Sequence, residues 1–295
     1  MKEFKTYHPI VNFTYFLFVI AFSMFFMHPV CLVISVVSSF TYSVILNGRK
    51  SLKFNIIYIL PLMIVTALLN PVFNHEGVTI LTYLPSGNPL TAEAIIYGFA
   101  SAVMLASVIL WFSCFNKIMT SDKFMYLFGR IIPSISLILS TVLRFIPKFK
   151  KDLKDIINSQ KCLGKTFDKS SFIKKIKLSV TVISSLITCS LENAIDTADS
   201  MKSRGYGVCR RTSYSYYKFS KRDALIMCFL IIQIIYVLFG AKFNKISFVY
   251  YPNLSGADFS YYGLSVFIAY FMLCIKPVII EFKEEIRWKA LKSKI

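Results

Sequence analysis

Charged side chains are scarce in this chain, and long stretches contain none. Only 17% of the 295 residues are Asp, Glu, Lys or Arg, whereas 56% are apolar, and the mean hydropathy is +0.60. Residues 11–46 include no charged side chain at all. Soluble domains carry about 25% charged residues. The composition therefore excludes an ordinary soluble domain and indicates a membrane protein.

Signatures of catalytic, metal-binding and nucleotide-binding sites are also missing. The seven cysteines form no CxxC pair and the three histidines form no HExxH motif, which argues against a disulfide framework or a zinc site. Gly164-Lys165-Thr166 has the end of a phosphate-binding loop, but Ser159 stands where that loop needs its first glycine. We therefore predict no enzyme, no catalytic residue, no cofactor and no metal.

Uncharged apolar runs predict about six transmembrane helices. Residues 11–46 are too long for one crossing at about 20 residues per bilayer, and His28-Pro29 divides them because proline cannot continue a helical hydrogen-bond ladder. The predicted spans are residues 11–27, 30–46, 54–73, 94–115, 224–241 and 259–280. The first run is too long for a cleaved signal peptide and leads directly into the second.

The positive charge is distributed unevenly along the chain. The formal net charge is +19, yet residues 71–93 contain no Lys or Arg, whereas residues 117–222 are dense in both. The positive-inside rule then places both termini and this basic block in the cytoplasm. Basic character also fits nucleic acid, anionic lipid or an acidic protein. Six apolar spans without a nucleic-acid module make the first of these unfavourable.

The basic block alternates apolar and amphipathic stretches and predicts a cytoplasmic domain of long helices. Its segments are residues 124–145, ending at Pro147, then 148–165, then 172–205. Residues 131–143 are short for a crossing, so they fit a helix along or under the membrane as well as a span. Ala194, Ala198 and Met201 form a narrow strip suited to close helix packing.

Two predicted helices in this block end alike, each on a glycine. One ends at Lys161, Cys162, Leu163 and Gly164, and the other at Ser203, Arg204 and Gly205. Within residues 191–207, Glu192, Asp196 and Asp199 precede Lys202 and Arg204, an order that suits the helix dipole, and glycine supplies a left-handed cap. An arginine held at such an end can present its charged fork to a carboxylate or carbonyl cluster on another surface.

These residues resemble the transmembrane T component of energy-coupling factor transporters, the family that includes the cobalt-transport permease subunit. Ser203-Arg204-Gly205, followed by Tyr206-Gly207, resembles the second small residue-Arg-Gly motif of that family, and Cys162-Leu163-Gly164 occupies the first. Leu163 stands where the family has arginine, so Lys161 or an apolar contact replaces it. Tyr7-His8-Pro9 and the phenylalanine-rich first span are also similar to the family.

The resemblance implies an all-α polytopic membrane protein that couples and does not catalyse. Its implied partners are two cytoplasmic ABC-type ATPases, which bind the motif helices, and an exchangeable membrane S component that captures a vitamin or metal ion. A stiff helix of about 50 Å, at 1.5 Å per residue over residues 172–204, would transmit the motion. The implied domains are residues 1–116, 117–222 and 223–295, in the cell membrane and without a nucleic-acid partner.

Two other functions remain open from the sequence. A stand-alone transporter or membrane-embedded enzyme would need polar residues facing inward, for which the candidates are Asn12, His28, Asn70 and Asn116. These four are spread widely along the chain, and we predict that the spans lack buried Asp, Glu, Lys or Arg of the kind that lines an ion or proton pathway. A membrane scaffold would bind the ATPases without a transport cycle.

Overall fold

Helices make up nearly all of the regular structure in the computed structural model, which describes residues 3–83, 89–129, 133–164, 172–208, 217–243, 246–256 and 260–292. The helices are α1 Pro9–Phe25, α2 Pro29–Asn47, α3 Arg49–Phe54, α4 Leu60–Phe73, α5 Ala92–Ile118, α6 Ser121–Gly129, α7 Pro133–Cys162, α8 Phe172–Ser203, α9 Lys221–Lys242 and α10 Tyr261–Lys292. A short antiparallel hairpin, β1 Ile80–Tyr83 with β2 Pro89–Thr91, precedes α5. The predicted all-α class is confirmed, with this hairpin as an unpredicted addition.

Within the part of the chain that the structure describes, six helices are long and apolar enough to cross a bilayer: α2, the continuous helical stretch Ser51–Phe73 that includes α4, α5, α8, α9 and α10. The number equals the prediction, but the set differs. The first predicted span is α1, a shorter apolar helix of 17 residues. By length and composition α8 also qualifies, because residues 178–191 contain no charged side chain. The last helix, α10, contains Pro277 and continues beyond the predicted end of its span at residue 280, as far as Lys292.

The first two helices begin with the same His-Pro device. His8 and His28 each precede a proline, and Nδ1 of each accepts a hydrogen bond from the backbone N–H two residues later, at 3.3 Å. Proline is preorganised for the first helical position, where its missing N–H is not needed. The break predicted at His28-Pro29 is therefore confirmed, with the histidine acting as the N-cap.

The chain forms two compact units, Met1–Phe124 with Tyr217–Ile295, and Met125–Tyr216. In the first unit, α5 packs against α1, α2 and α4, and α10 packs against α2 and α9. Its core is aromatic, and Trp111 is fully buried and donates from Nε1 to Ser35 Oγ at 3.1 Å. Tyr15 O–H donates to the Cys274 carbonyl at 3.0 Å, so the polar atoms of these two large rings are paired while the rings fill the space.

The second unit contains one continuous helix where the sequence predicted an interruption. α7 extends from Pro133 to Cys162, so the break predicted at Pro147 is wrong. A proline inside a helix removes one backbone hydrogen bond, and the flanking turns of a long helix can tolerate that loss. Pro133 instead stands first in α7, the position proline favours. Four residues that belong to predicted segments or mark their ends lie outside the described residues: Ile131, Lys165, Cys209 and Phe259.

Candidate functional site

The two glycine-terminated helix ends predicted from the sequence both lie in the second unit, at the ends of α7 and α8. Gly164 and Gly205 adopt positive φ angles of 76° and 80°. Only glycine adopts this left-handed conformation without a steric cost, so each glycine ends its helix as predicted.

The end of α8 is closed by two backbone hydrogen bonds. The N–H of Gly205 donates to the Lys202 carbonyl at 2.9 Å, and the N–H of Tyr206 donates to the Met201 carbonyl at 3.1 Å. This pair of bonds forms a Schellman motif, which satisfies carbonyls that a helix end otherwise leaves open. The motif fixes the direction of the chain at Arg204, so the side chain projects from a defined position.

Arg204 is exposed, and its guanidinium makes no ion pair or hydrogen bond with any residue that the structure describes. Neighbouring side chains are also exposed, Tyr206 by 48% and Val208 by 81%. Arginine and tyrosine are among the residue types that are enriched in protein-binding hot spots.

The end of α7 is similar in backbone and different in chemistry. The N–H of Gly164 donates to the Lys161 carbonyl at 2.9 Å, and Leu163 is 69% exposed. Lys161 and Cys162 are exposed as well. The α7 end therefore presents an apolar side chain where the α8 end presents Arg204, and Lys161 supplies a positive charge two residues earlier.

A polar cleft of about 480 Å³ lies between α7 and α8 and includes Arg204 in its lining. Arg144 from α7 and Asp196 from α8 also line it, together with hydroxyl and amide side chains. Lys148 Nζ donates to Asn193 Oδ1 at 2.7 Å and joins the two helices. Two guanidinium groups against one carboxylate give the cleft a positive charge, which favours carboxylate or carbonyl oxygens.

Of the strip predicted for close helix packing, only Met201 is partly covered within this chain. Ala194 and Ala198 are exposed, whereas Asn193, Thr197 and Met201 are partly covered. The α8 face toward α7 therefore lies one position away from the alanines, and its pairing is polar. An exposed apolar stripe also runs along one face of α8. Its members are Ile173, Ile176, Val180, Ile183, Ile187, Leu191 and Ile195.

Three of the four polar candidates for a separate catalytic or transport site make structural contacts, and the fourth, Asn116, lies at the surface. His28 caps α2, and the Asn70 side chain accepts from Tyr251 O–H at 3.5 Å. Asn12 is buried beside Lys123 and Phe4, whereas Asn116 is exposed. Among the described residues, no group of His, Cys, Asp and Glu side chains could hold a metal ion.

Sequence reasoning missed buried charges in the first unit. Lys123 and Glu281 are buried, and so is Asp223, whose side chain completes a capping box with Ser220 at the start of α9. Of these three residues, only Asp223 could be recognised from its neighbours in the sequence, because Ser-x-x-Asp before an apolar run is typical of a helix N-terminus.

Comparison with known proteins places these features in a family. The sequence profile of CbiQ, described as cobalt transport protein, matches residues 5–214. The chain is 37% identical over 112 residues to the energy-coupling factor transporter transmembrane protein EcfT of Lactococcus lactis subsp. cremoris, covering 38% of this chain and 42% of that protein. The EcfT of Lactobacillus helveticus is 34% identical over 104 residues, covering 35% of this chain and 38% of that protein.

A third match covers more of the chain. The EcfT protein of Bacillus selenitireducens is 26% identical over 227 residues, covering 72% of this chain and 81% of that protein. The first two matches span about two-fifths of the relatives' own length. The apolar helices agree with the multi-pass membrane character of such a transport component. Because the family profile covers more than half of its residues, this chain belongs to the CbiQ cobalt transport protein family.

Proposed function

We propose that this chain is the non-catalytic coupling subunit of an ATP-driven importer of the energy-coupling factor type. It links two cytoplasmic ABC-type ATPases to a membrane S component that captures a vitamin or metal ion. The observation that carries the proposal is Arg204, an exposed guanidinium without a partner in the described chain, at the capped end of a 32-residue helix. Family membership supplies the kind of complex in which such a helix end has a partner.

The helix end is suited to transmit force. At 1.5 Å per residue α8 is about 48 Å long, and its Schellman motif keeps the final turn from fraying. The ATPase-coupling residues are Ser203, Arg204 and Gly205 on α8 and Lys161, Cys162, Leu163 and Gly164 on α7. Arg204 binds an acidic or carbonyl-rich groove of one ATPase, whereas the α7 end uses the apolar Leu163 with Lys161 beside it.

The exposed apolar stripe on α8 provides a second surface. Its members recur every three or four residues from Ile173 to Ile195, so they lie on one face of the helix. Such a face is covered by lipid or by apolar side chains of another membrane protein. It gives the coupling subunit a place to contact the S component. The basic residues of this region and both termini lie on the cytoplasmic side.

Arg204→Glu tests the proposal, with Lys202→Glu as the matched control. Both substitutions reverse one exposed charge in the last turn of α8, but only the first alters the motif arginine. Losing one partner of a buried charge pair costs about 2–5 kcal/mol, so recovery of the ATPases with Arg204→Glu should fall at least about 30-fold.

Uptake and copurification separate the alternatives. Cells that have this chain as their only such subunit should lose uptake with Arg204→Glu and keep it with Lys202→Glu, at equal amounts in the membrane. Full uptake by Arg204→Glu would contradict the proposal. Recovery of the wild-type chain without nucleotide-binding subunits would favour a stand-alone transporter or enzyme. Bound ATPases without transport-linked ATP hydrolysis would indicate a scaffold.

A further inference from the structure

The N-terminal residues 3–8 contact both stretches of chain that border the second unit. The first unit ends at Phe124 and resumes at Tyr217, so the residues before 124 lead the chain into Met125–Tyr216 and those after 217 lead it out. Each contact that residues 3–8 make with these two stretches lies within the first unit.

Phe4 fixes this segment in the core. Its ring is fully buried and makes edge-to-face contacts with Tyr15 at 5.3 Å, Phe16 at 6.2 Å and Tyr42 at 6.3 Å between ring centroids. The backbone N–H of Glu3 donates to Glu281 Oε2 of α10 at 3.2 Å. The position of the segment is therefore set by the membrane helices on which it is packed.

Lys123 joins the segment to the stretch that leads into the second unit. This lysine is only 3% exposed, and its Nζ donates to the Lys5 carbonyl at 2.6 Å. With the Asn12 amide oriented to satisfy its neighbours, Asn12 Oδ1 accepts from Lys123 at 2.7 Å and Nδ2 donates to the Phe4 carbonyl at 3.1 Å. A buried ammonium depends on such acceptors, because losing them leaves an unpaired charge away from water.

Three side chains join the segment to the stretch that leads out. The N–H of His8 donates to Asp223 Oδ1 at 3.3 Å, and Arg222 Nη1 forms an ion pair with Glu3 Oε1 at 2.8 Å. The Arg222 guanidinium also lies 4.3 Å from the centre of the Tyr7 ring. The His8 ring meets Phe219 edge to face at 5.1 Å. Backbone, ion-pair and ring contacts thus converge on residues 219–223.

We propose that residues 3–8 form a clasp that ties both connections of the Met125–Tyr216 unit to the membrane helices. Lys123, Arg222 and Asp223 are its positioning residues. If both connecting stretches were free to move, they would absorb a displacement of α7 and α8. Because residues 3–8 anchor both stretches, the displacement is transmitted to α1, α9 and α10. The role of the clasp in transmitting motion rests on the proposed function, whereas the clasp contacts themselves lie within this chain.

Hydrogen exchange of the purified chain in detergent tests the clasp without any partner. Lys123→Met removes the donor, and the matched control Lys5→Met removes a neighbouring ammonium while keeping the backbone carbonyl that Lys123 binds. Loss of a charged hydrogen bond predicts exchange about tenfold faster in Lys123→Met, both at residues 119–124 and at 217–226. Faster exchange at 119–124 alone, or equal exchange in both variants, would overturn the clasp.

A second variant loosens the clasp from its other side. Arg222→Ala removes an exposed ion pair and is expected to fold, and it should speed exchange at residues 119–124 as well as near Arg222. Exchange that changes only within a few residues of position 222 would contradict a shared anchor, even if Lys123→Met proves too unstable to purify.

The assembled complex tests the purpose of the clasp. Lys123→Met and Arg222→Ala should retain both ATPases and hydrolyse ATP within about twofold of the wild type, while substrate taken up per ATP falls about tenfold. A merely structural role would instead lower membrane content, ATPase recovery and hydrolysis together, leaving the ratio unchanged. If the wild-type chain recovers no ATPase, the proposed function fails, and the exchange result still decides the clasp.

Discussion

The backbone N–H of Tyr206 donates to the carbonyl of Met201, five residues earlier, at 3.1 Å. This bond requires the intervening Gly205 to adopt its φ of 80°. The helix end that carries Arg204 is thus held by backbone geometry, which one side chain at position 205 would disturb.

Gly205→Ala should weaken recovery of the ATPases about fivefold, because a left-handed alanine costs roughly 1 kcal/mol. The midpoint of thermal unfolding in detergent should stay within about 1 °C of the wild type, since the tip is exposed. Gly205→Asn is the matched control, because asparagine tolerates this conformation, and it should retain most of the recovery. Equal losses in both variants would show that the tip conformation is not the cause.

Leu163→Arg restores the arginine that the family resemblance leads one to expect at the end of α7. Leu163 is 69% exposed, so the change should alter the free energy of unfolding by less than about 0.5 kcal/mol. One added charged hydrogen bond predicts recovery of the ATPases about tenfold better in low salt, where the added charge is least screened. Unchanged or poorer recovery would mean that the partner groove at this end is apolar.

The two capping histidines predict a loss of stability in acid. Burial lowers the pKa of His8, an effect that the Asp223 carboxylate opposes and the Lys123 ammonium reinforces, and burial lowers the pKa of His28. Below the unfolded pKa of about 6.5 the unfolded chain binds protons that the native caps exclude. The free energy of unfolding should therefore fall as the pH decreases from about 7 to 5.

His8→Asn combined with His28→Asn provides the control for this titration. Asparagine is a good N-cap acceptor and does not titrate. Thermal unfolding in detergent should show a shallower fall with acid in the double variant than in the wild type. The same slope in both would assign the acid sensitivity to other groups.

Gly240→Ala should destabilise the first unit by about 1–3 kcal/mol through overpacking. A β-carbon at position 240 would lie 2.6 Å from Cγ1 of the buried Val266 on α10. Val266→Ala combined with Gly240→Ala should recover much of that loss, because the added methyl group then occupies the vacated space. Chemical unfolding in detergent measures both, and an additive loss in the double variant would contradict a direct clash.

The sequence predicted the helix ends well because they depend on local chemistry. Gly164 and Gly205 were identified as caps, and His28-Pro29 as a break, from neighbouring residues alone. The predicted helix break at Pro147 is wrong for the same reason. The local preference of proline favours an interruption, but α7 continues through this residue. The packing of Ala194 and Ala198 was also wrong, since a small-residue strip does not reveal which face of a helix another helix covers.

By itself the sequence determined the membrane character, the family resemblance and the two capped helix ends, because hydropathy and capping are local properties. Only the tertiary structure brought Lys123, Asn12 and Lys5 together, and Glu3 with Arg222, across gaps of more than one hundred or two hundred residues. No local pattern encodes such contacts. The burial that makes an ammonium or carboxylate depend on one partner exists only after distant segments have packed.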